Sequence, residues 1–245
     1  MIDTGALVQM RVKRAGTALE AELRSINPGP SGATGRPLQF SGDADDEIGV
    51  ILIDEFTAGI LEYKPRLARE INADMAEWFT SEADRLYNFL DKYIDDIPLS
   101  NVRNSQLFGA ILERYNQSIS GILAELELGN AFLQAAQTGD HREVRALLDR
   151  GADVNFRHPR TRATALHLSA ACGARAVIDE LGKEKNIEYL VVDGKGRLPS
   201  SRAFEIAGNA LLGEFLMKQE IATATENELD FRAILTGEVP PPGQA

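Results

Sequence analysis

Few residues in this chain have the types and spacing that chemistry needs. Gly29-Pro30-Ser31-Gly32-Ala33-Thr34-Gly35-Arg36 has the glycine density of a phosphate-binding loop. Such a loop spaces its glycines so that backbone N–H groups cradle phosphate, and adds a lysine for the terminal phosphates and a hydroxyl for magnesium. Here the glycine spacing is off by one residue, Arg36 stands where the lysine belongs, and Pro37 replaces the hydroxyl. Gly49–Phe56 reads GVILIDEF, an apolar run closed by acids as on a nucleotide-hydrolysing strand, but its surroundings follow a helical pattern. A linker followed by a buried helix is the expectation. Cys172, the only cysteine, would need a partner base and an electropositive setting to act as a nucleophile. His167 is the nearest histidine in sequence, and the expected roles are a packing cysteine and a structural histidine. His141 and His158 are too scattered to complete a metal-ligand spacing. The acid pairs Asp45-Asp46, Asp54-Glu55 and Asp95-Asp96 are adjacent in sequence. Neighbours on a helix point about 100° apart and cannot clasp one ion, so these pairs read as solvated faces. The expectation is a protein that is not an enzyme, with no catalytic, cofactor-binding or metal-ligating residues and no cofactor.

Composition narrows the partners. The formal net charge is −11 over 245 residues, which opposes nucleic-acid binding and docking on anionic membranes. Hydrophobic residues at 44% and charged residues at 26% are ordinary for a globular protein. One cysteine permits no internal disulfide and fits a reducing compartment. The opening MIDTGALVQMRVKRAG places its charges inside a helical pattern rather than before an apolar core, so no cleavable signal is expected. No apolar run reaches the length of a bilayer span. The expected location is the cytoplasm.

The positioning elements read as helices. Val8, Val12, Ala15, Leu19, Leu23 and Ile26 recur at helical steps over 4–26. Asn27-Pro28-Gly29-Pro30 then predicts an exposed loop over 27–46. Helical character returns at 47–63, and Pro65 is expected to end or kink that element. Ile71, Met75, Phe79, Ala83, Leu86, Leu90, Tyr93 and Ile97 predict a helix over 66–97. Phe108, Ile111, Leu112, Tyr115, Ile119, Ile122, Leu123 and Leu126 predict another over 105–128, with Asn101 or Asn104 as its cap.

Residues 130–155 read NAFLQAAQTGDHREVRALLDRGADVN, and Thr164-Ala165-Leu166-His167 follows. Ala135 and Ala136 let a neighbouring helix approach, and Gly139 allows a chain reversal at positive φ. Val144, Leu147 and Leu148 share a face, Gly151 ends that helix, and Asp153 and Asn155 form a turn. This stretch resembles an ankyrin repeat. A second unit starts at Thr164, with Ser169-Ala170 as small residues, Gly173 as turn and Val177, Ile178 and Leu181 as stripe, although Lys185-Asn186-Ile187-Glu188 replace the expected GADVN. A third, degenerate unit starts at Asp193 with Gly196 and Pro199, and continues through Ala203, Ala207, Leu211, Leu212, Phe215 and Leu216. The resemblance implies helix pairs with short β-hairpin loops that bind other proteins. It also implies that His167 bonds the backbone of neighbouring turns.

One departure from that pattern draws attention. Phe156-Arg157-His158-Pro159-Arg160-Thr161-Arg162-Ala163 is one residue longer than the hairpin the family places there, and is basic within an acidic chain. The next hairpin, Asp193-Gly194-Lys195-Gly196-Arg197, adds further cations. The expected partner-binding residues are Arg157, His158, Arg160, Arg162, Lys195 and Arg197, facing a protein with an acidic surface. Arginine favours interfaces because its planar fork pairs with carboxylates. Neutralisation of the protein's own acidic N-terminal half is the competing reading.

The expected fold is all-α. It comprises an N-terminal helical domain (1–128) packed on a short ankyrin-repeat array (129–220), followed by a tail (221–245) whose 229–235 segment is apolar enough to dock. The expected function is non-catalytic protein binding through the array's concave face and basic hairpin tips in a bacterial protein, with neither nucleic acid nor membrane as partner. Two alternatives stay open: an inhibitor or immunity-type protein that blocks one enzyme, and an enzyme with a pocket in the N-terminal half lined by residues such as Glu55, Glu77 and Arg114. The sequence leaves the oligomeric state open.

Overall fold

The computed structural model describes residues 4–26, 43–95 and 102–241. The phosphate-loop-like segment 29–36, the expected loop up to residue 42, Ile97 and the last residues of the tail lie outside the described residues. Every regular element among those described is α-helical. The chain forms two compact units, one from Gly5 to Ala124 and one from Glu125 onward together with Thr4.

The first unit is built from α1 (Thr4–Ile26), α2 (Asp43–Glu70), α3 (Ala73–Asp95) and the first part of α4 (Val102–Thr138). Val8, Val12, Leu19 and Leu23 of α1 are buried at helical spacing. Phe79, Leu86 and Leu90 of α3 and Leu123 of α4 are fully enclosed. Each large side chain removed from water this way contributes roughly 1.5–3 kcal/mol before entropic costs. Aromatic rings tie the helices together. Phe56 and Tyr115 lie 5.5 Å apart, and Tyr63 meets Phe79 edge-on at 6.3 Å. The Tyr93 hydroxyl donates to the Leu23 carbonyl. Arg85–Glu20 and Arg114–Glu22 pair on the surface, where such bridges stabilise by at most about 1 kcal/mol.

Two helix boundaries differ from the sequence pattern. Pro65 lies inside α2, which runs on to Glu70. The break falls instead at Asn72, whose Oδ1 accepts the Met75 N–H at 2.7 Å and so caps α3. The GVILIDEF segment is part of α2, with Phe56 buried and Asp54 and Glu55 exposed. The expected loop also ends sooner, because α2 already begins at Asp43.

The second unit starts within α4 and continues through α5 (His141–Asp149), α6 (Ala165–Cys172), α7 (Arg175–Leu181), α8 (Pro199–Glu205), α9 (Ala210–Glu226) and α10 (Phe231–Thr236). The helices stack in register: α5 packs on α7, α6 on both α7 and α8, and α8 on α9. Phe132, Ala136, Val144, Leu147, Leu166, Val177, Ile178, Leu181, Ala203 and Leu216 form one continuous core. Glycines turn the chain between paired helices. Gly139, Gly173 and Gly208 have φ of +79°, +72° and +61°, values at which a side chain is strained. Asp140 caps α5 by accepting the N–H groups of Arg142 and Glu143 at 3.1 and 3.0 Å. At the far end Ile234 of α10 is buried against Ala224 and Leu190.

The loops expected to be β-hairpins contain no strand among the described residues. Each is closed by a few backbone turn bonds instead. His158 N donates to Ala163 O at 2.9 Å, and Asp193 N to Arg197 O at 2.9 Å.

Gly129 gives a sharp test of packing against propensity. It is buried in the body of α4, where alanine is favoured over glycine by about 1 kcal/mol. A Cβ there would stand 2.5 Å from the Phe156 ring. Gly129→Ala is therefore expected to destabilise the protein by about 1–3 kcal/mol in urea unfolding, the usual cost of overpacking. A stabilised variant would show that the ring moves aside freely.

Candidate interaction surface

The two basic loops are built around one buried carboxylate. Asp193 is almost fully enclosed. Its Oδ1 accepts the backbone N–H groups of Lys195 and Arg197 at 2.8 and 3.1 Å. Its Oδ2 accepts Arg197 Nε and Nη2 at 3.1 and 2.8 Å, and Arg202 Nε and Nη2 at 2.9 and 2.7 Å. Burial pushes this carboxyl up, but the hydrogen bonds from Arg197, Arg202 and Lys195 outweigh it and hold the group well below the usual carboxylate range. The short 193–197 turn is thus fixed by charge-assisted bonds.

His167 joins this turn to the helices behind it. Its Nδ1 faces the Thr164 N–H at 3.2 Å and the Thr164 hydroxyl at 2.9 Å, forming a capping box at the start of α6. Its Nε2 lies 3.0 Å from the Arg197 carbonyl oxygen, which requires the proton on Nε2. Burial lowers the imidazole to about 4, so it stays neutral at physiological pH.

In the 156–163 loop Arg162 takes φ +56°, a left-handed conformation costing a non-glycine residue about 1–2 kcal/mol. His158 Nδ1 accepts the N–H groups of Arg160 and Thr161, both at 3.2 Å. That histidine therefore shapes the turn. Arg157 is half-buried, donating from Nε to the Arg162 carbonyl at 3.3 Å and from Nη2 to the Val192 carbonyl.

The two loop tips meet. Gly194 N donates to Thr161 O at 2.8 Å, and a Cβ on Gly194 would stand 3.0 Å from that oxygen. Glycine is what allows this approach. The six expected partner-binding residues then divide by environment. Arg197 is neutralised by Asp193, while Arg157, Arg162 and His158 are half-buried within the loops. Arg160 and Lys195 are exposed at the adjoining tips.

Sequence reasoning overlooked Arg202 and its pairing with Asp193, and a second buried acid, Glu220. In α9, Glu220 accepts Ser200 N at 2.8 Å and meets the Ser200 hydroxyl at 2.5 Å, closing the start of α8. Burial raises its carboxyl to about 7 against the lowering effect of the Ser200 bonds. The signal was available: Leu212, Leu216, Glu220 and Ala224 share one four-residue stripe, and all are buried.

In the first unit, a groove of about 780 Å³ runs between α2 and α4. Glu55 lines it, whereas Glu77 is exposed on α3 and Arg114 pairs with Glu22 at 2.6 Å. No helix among the described residues is long and apolar enough to cross a membrane. No family model matches the chain, and no curated protein is similar to it.

Proposed function

We propose that residues 129–220 form ankyrin-type helix pairs and that this array binds another protein through its basic loop tips, without catalysis. Three features support the reading. Consecutive helix pairs stack on one core, as a repeat array requires of units that cannot bury their apolar faces alone. The turn glycines at 139, 173 and 208 share a positive φ. His167 bonds the neighbouring turn at Arg197 O.

The observation that carries the binding surface is the pairing of Arg160 and Lys195. The fold satisfies Arg197 and Arg202 internally on Asp193, yet leaves two cations exposed on loops joined by the Gly194–Thr161 bond. Surface cations on a chain of net charge −11 attract acidic partners and orient their approach. The partner is accordingly a protein with an acidic patch.

The test is affinity capture from the native cell with the full chain, comparing wild type with an Arg160→Glu/Lys195→Glu double variant. The expected result is a loss of the specific partner by tenfold or more, greater at low than at high salt. The unfolding temperature should stay unchanged, since both side chains are exposed. Unchanged capture by a folded double variant would refute the assignment.

A further inference from the structure

The groove between α2 and α4 lies wholly within the Gly5–Ala124 unit, and no residue of the basic loops lines it. Its apolar floor is Phe56, Tyr63 and Leu112. The α4 wall extends from Gly109 to Ala124, a length of about 22 Å at the helical rise of 1.5 Å per residue. Small residues keep this wall low. A Cβ on Gly121 would meet nothing within 4 Å among the described residues, so none of them covers the α4 face there.

Each polar side chain that lines the groove carries a hydrogen-bond acceptor, and none carries positive charge. Asn116 Oδ1 is buried with no hydrogen-bond partner among the described residues. The Tyr63 hydroxyl donates its proton to the Asn116 carbonyl at 3.1 Å, which leaves its oxygen as an acceptor. Glu55 and Glu113 place carboxylates along the edges. An occupant must bring an apolar surface, hydrogen-bond donors and positive charge over a helix-like length.

We propose that this groove receives an amphipathic helix of a partner protein, with lysine or arginine flanking an apolar stripe. Helix axes pack 8–10 Å apart depending on the side chains at the contact, and helix-in-groove docking reads a stripe of anchors at three- and four-residue steps. The low wall at Gly121 supplies the approach. The carboxylates of Glu55 and Glu113 select a basic helix over an acidic one.

The test uses the full chain and a fluorescein-labelled 16-residue leucine/lysine amphipathic peptide, read by anisotropy, with a leucine/glutamate peptide of the same pattern as control. The lysine peptide is expected to bind and the glutamate peptide not to bind. Gly121→Phe fills the groove without changing net charge, and is expected to weaken binding at least tenfold while the unfolding temperature holds or rises. Glu113→Lys, at an exposed position, is expected to weaken binding and flatten its salt dependence. Absence of binding by wild type, or equal binding by wild type and folded Gly121→Phe, overturns the proposal. So does a dimer that Gly121→Phe dissociates, which would make the occupant a second copy. Peptide binding that appears only after deletion of residues 28–42 would assign the groove to the chain itself and also overturns it.

Discussion

His167→Ala is expected to lower the unfolding free energy by about 3–5 kcal/mol. The imidazole is fully buried and spans two structural elements, from the start of α6 to the 193–197 turn. Its removal strands the Thr164 N–H and the Arg197 carbonyl, each costing about 1–3 kcal/mol when buried without a partner. It also leaves a cavity. Urea unfolding followed by far-UV circular dichroism measures the loss. Titration adds an independent sign. The folded imidazole is lowered to about 4 by burial, against an ordinary value of 6.5. Between those values the unfolded chain binds a proton that the folded chain refuses, so stability falls as pH drops from 6.5 toward 4, by up to about 3 kcal/mol. His167→Gln abolishes that limb. A variant with wild-type stability at pH 7 would show that the histidine strut is not needed.

Glu220→Gln is expected to stabilise the protein at pH 8 by up to about 3 kcal/mol and to change little at pH 4. The Glu220 carboxyl is raised to about 7 from 4.5, chiefly by burial. Between pH 4.5 and 7 the folded state keeps a proton that the unfolded state has released. The group's stabilising contribution is therefore fully present below 4.5 and is lost as pH rises through 7. This slope runs opposite to that of His167, so the two partly cancel in the wild-type profile, and single substitution separates them. Glutamine reproduces the protonated carboxyl, accepting Ser200 N with one atom and donating to the Ser200 hydroxyl with the other. Denaturant melts at pH 4, 6 and 8 for both proteins measure the difference. A variant less stable than wild type at pH 8 would show instead that an ionised Glu220 supports the start of α8.

Apolar periodicity made much of the helical architecture legible. The stripes read over 4–26 and 105–128 are buried at Val8, Leu19 and Leu23 and at Phe108, Ile119 and Leu123, because burial follows the 3.6-residue period wherever one helix face meets a core. Turn glycines were equally visible: Gly139, Gly151 and Gly173 all have positive φ, where glycine alone avoids a steric cost. Boundaries were less so. Pro65 looked like a terminator, yet α2 continues through it and Asn72 makes the break with a single side-chain bond. The helix read over 105–128 and the helical stretch read from 130 are one helix, α4, which runs from Val102 to Thr138 through Gly129. Its missing side chain answers to the Phe156 ring, a contact between residues far apart in sequence that no local pattern encodes.

The candidate surface was legible as composition and not as geometry. Counting cations singled out the two loops, but all six residues looked equivalent in one dimension. Asp193 separates them by taking Arg197 and Arg202 onto one carboxylate oxygen. The Gly194–Thr161 bond then joins the two tips. Buried acids such as Glu220 escape a charge count altogether, because their role depends on a partner from another helix.

Photo-cross-linking in the native cell tests the binding role most directly. A photoreactive residue is placed singly at Arg160, at Lys195 and, as a control at an exposed position on α5, at Arg142. The expected result is one shared partner cross-linked from 160 and 195 through an acidic segment, and absent from 142. Cross-links from 142 to that same protein, with none from the two tips, would contradict it.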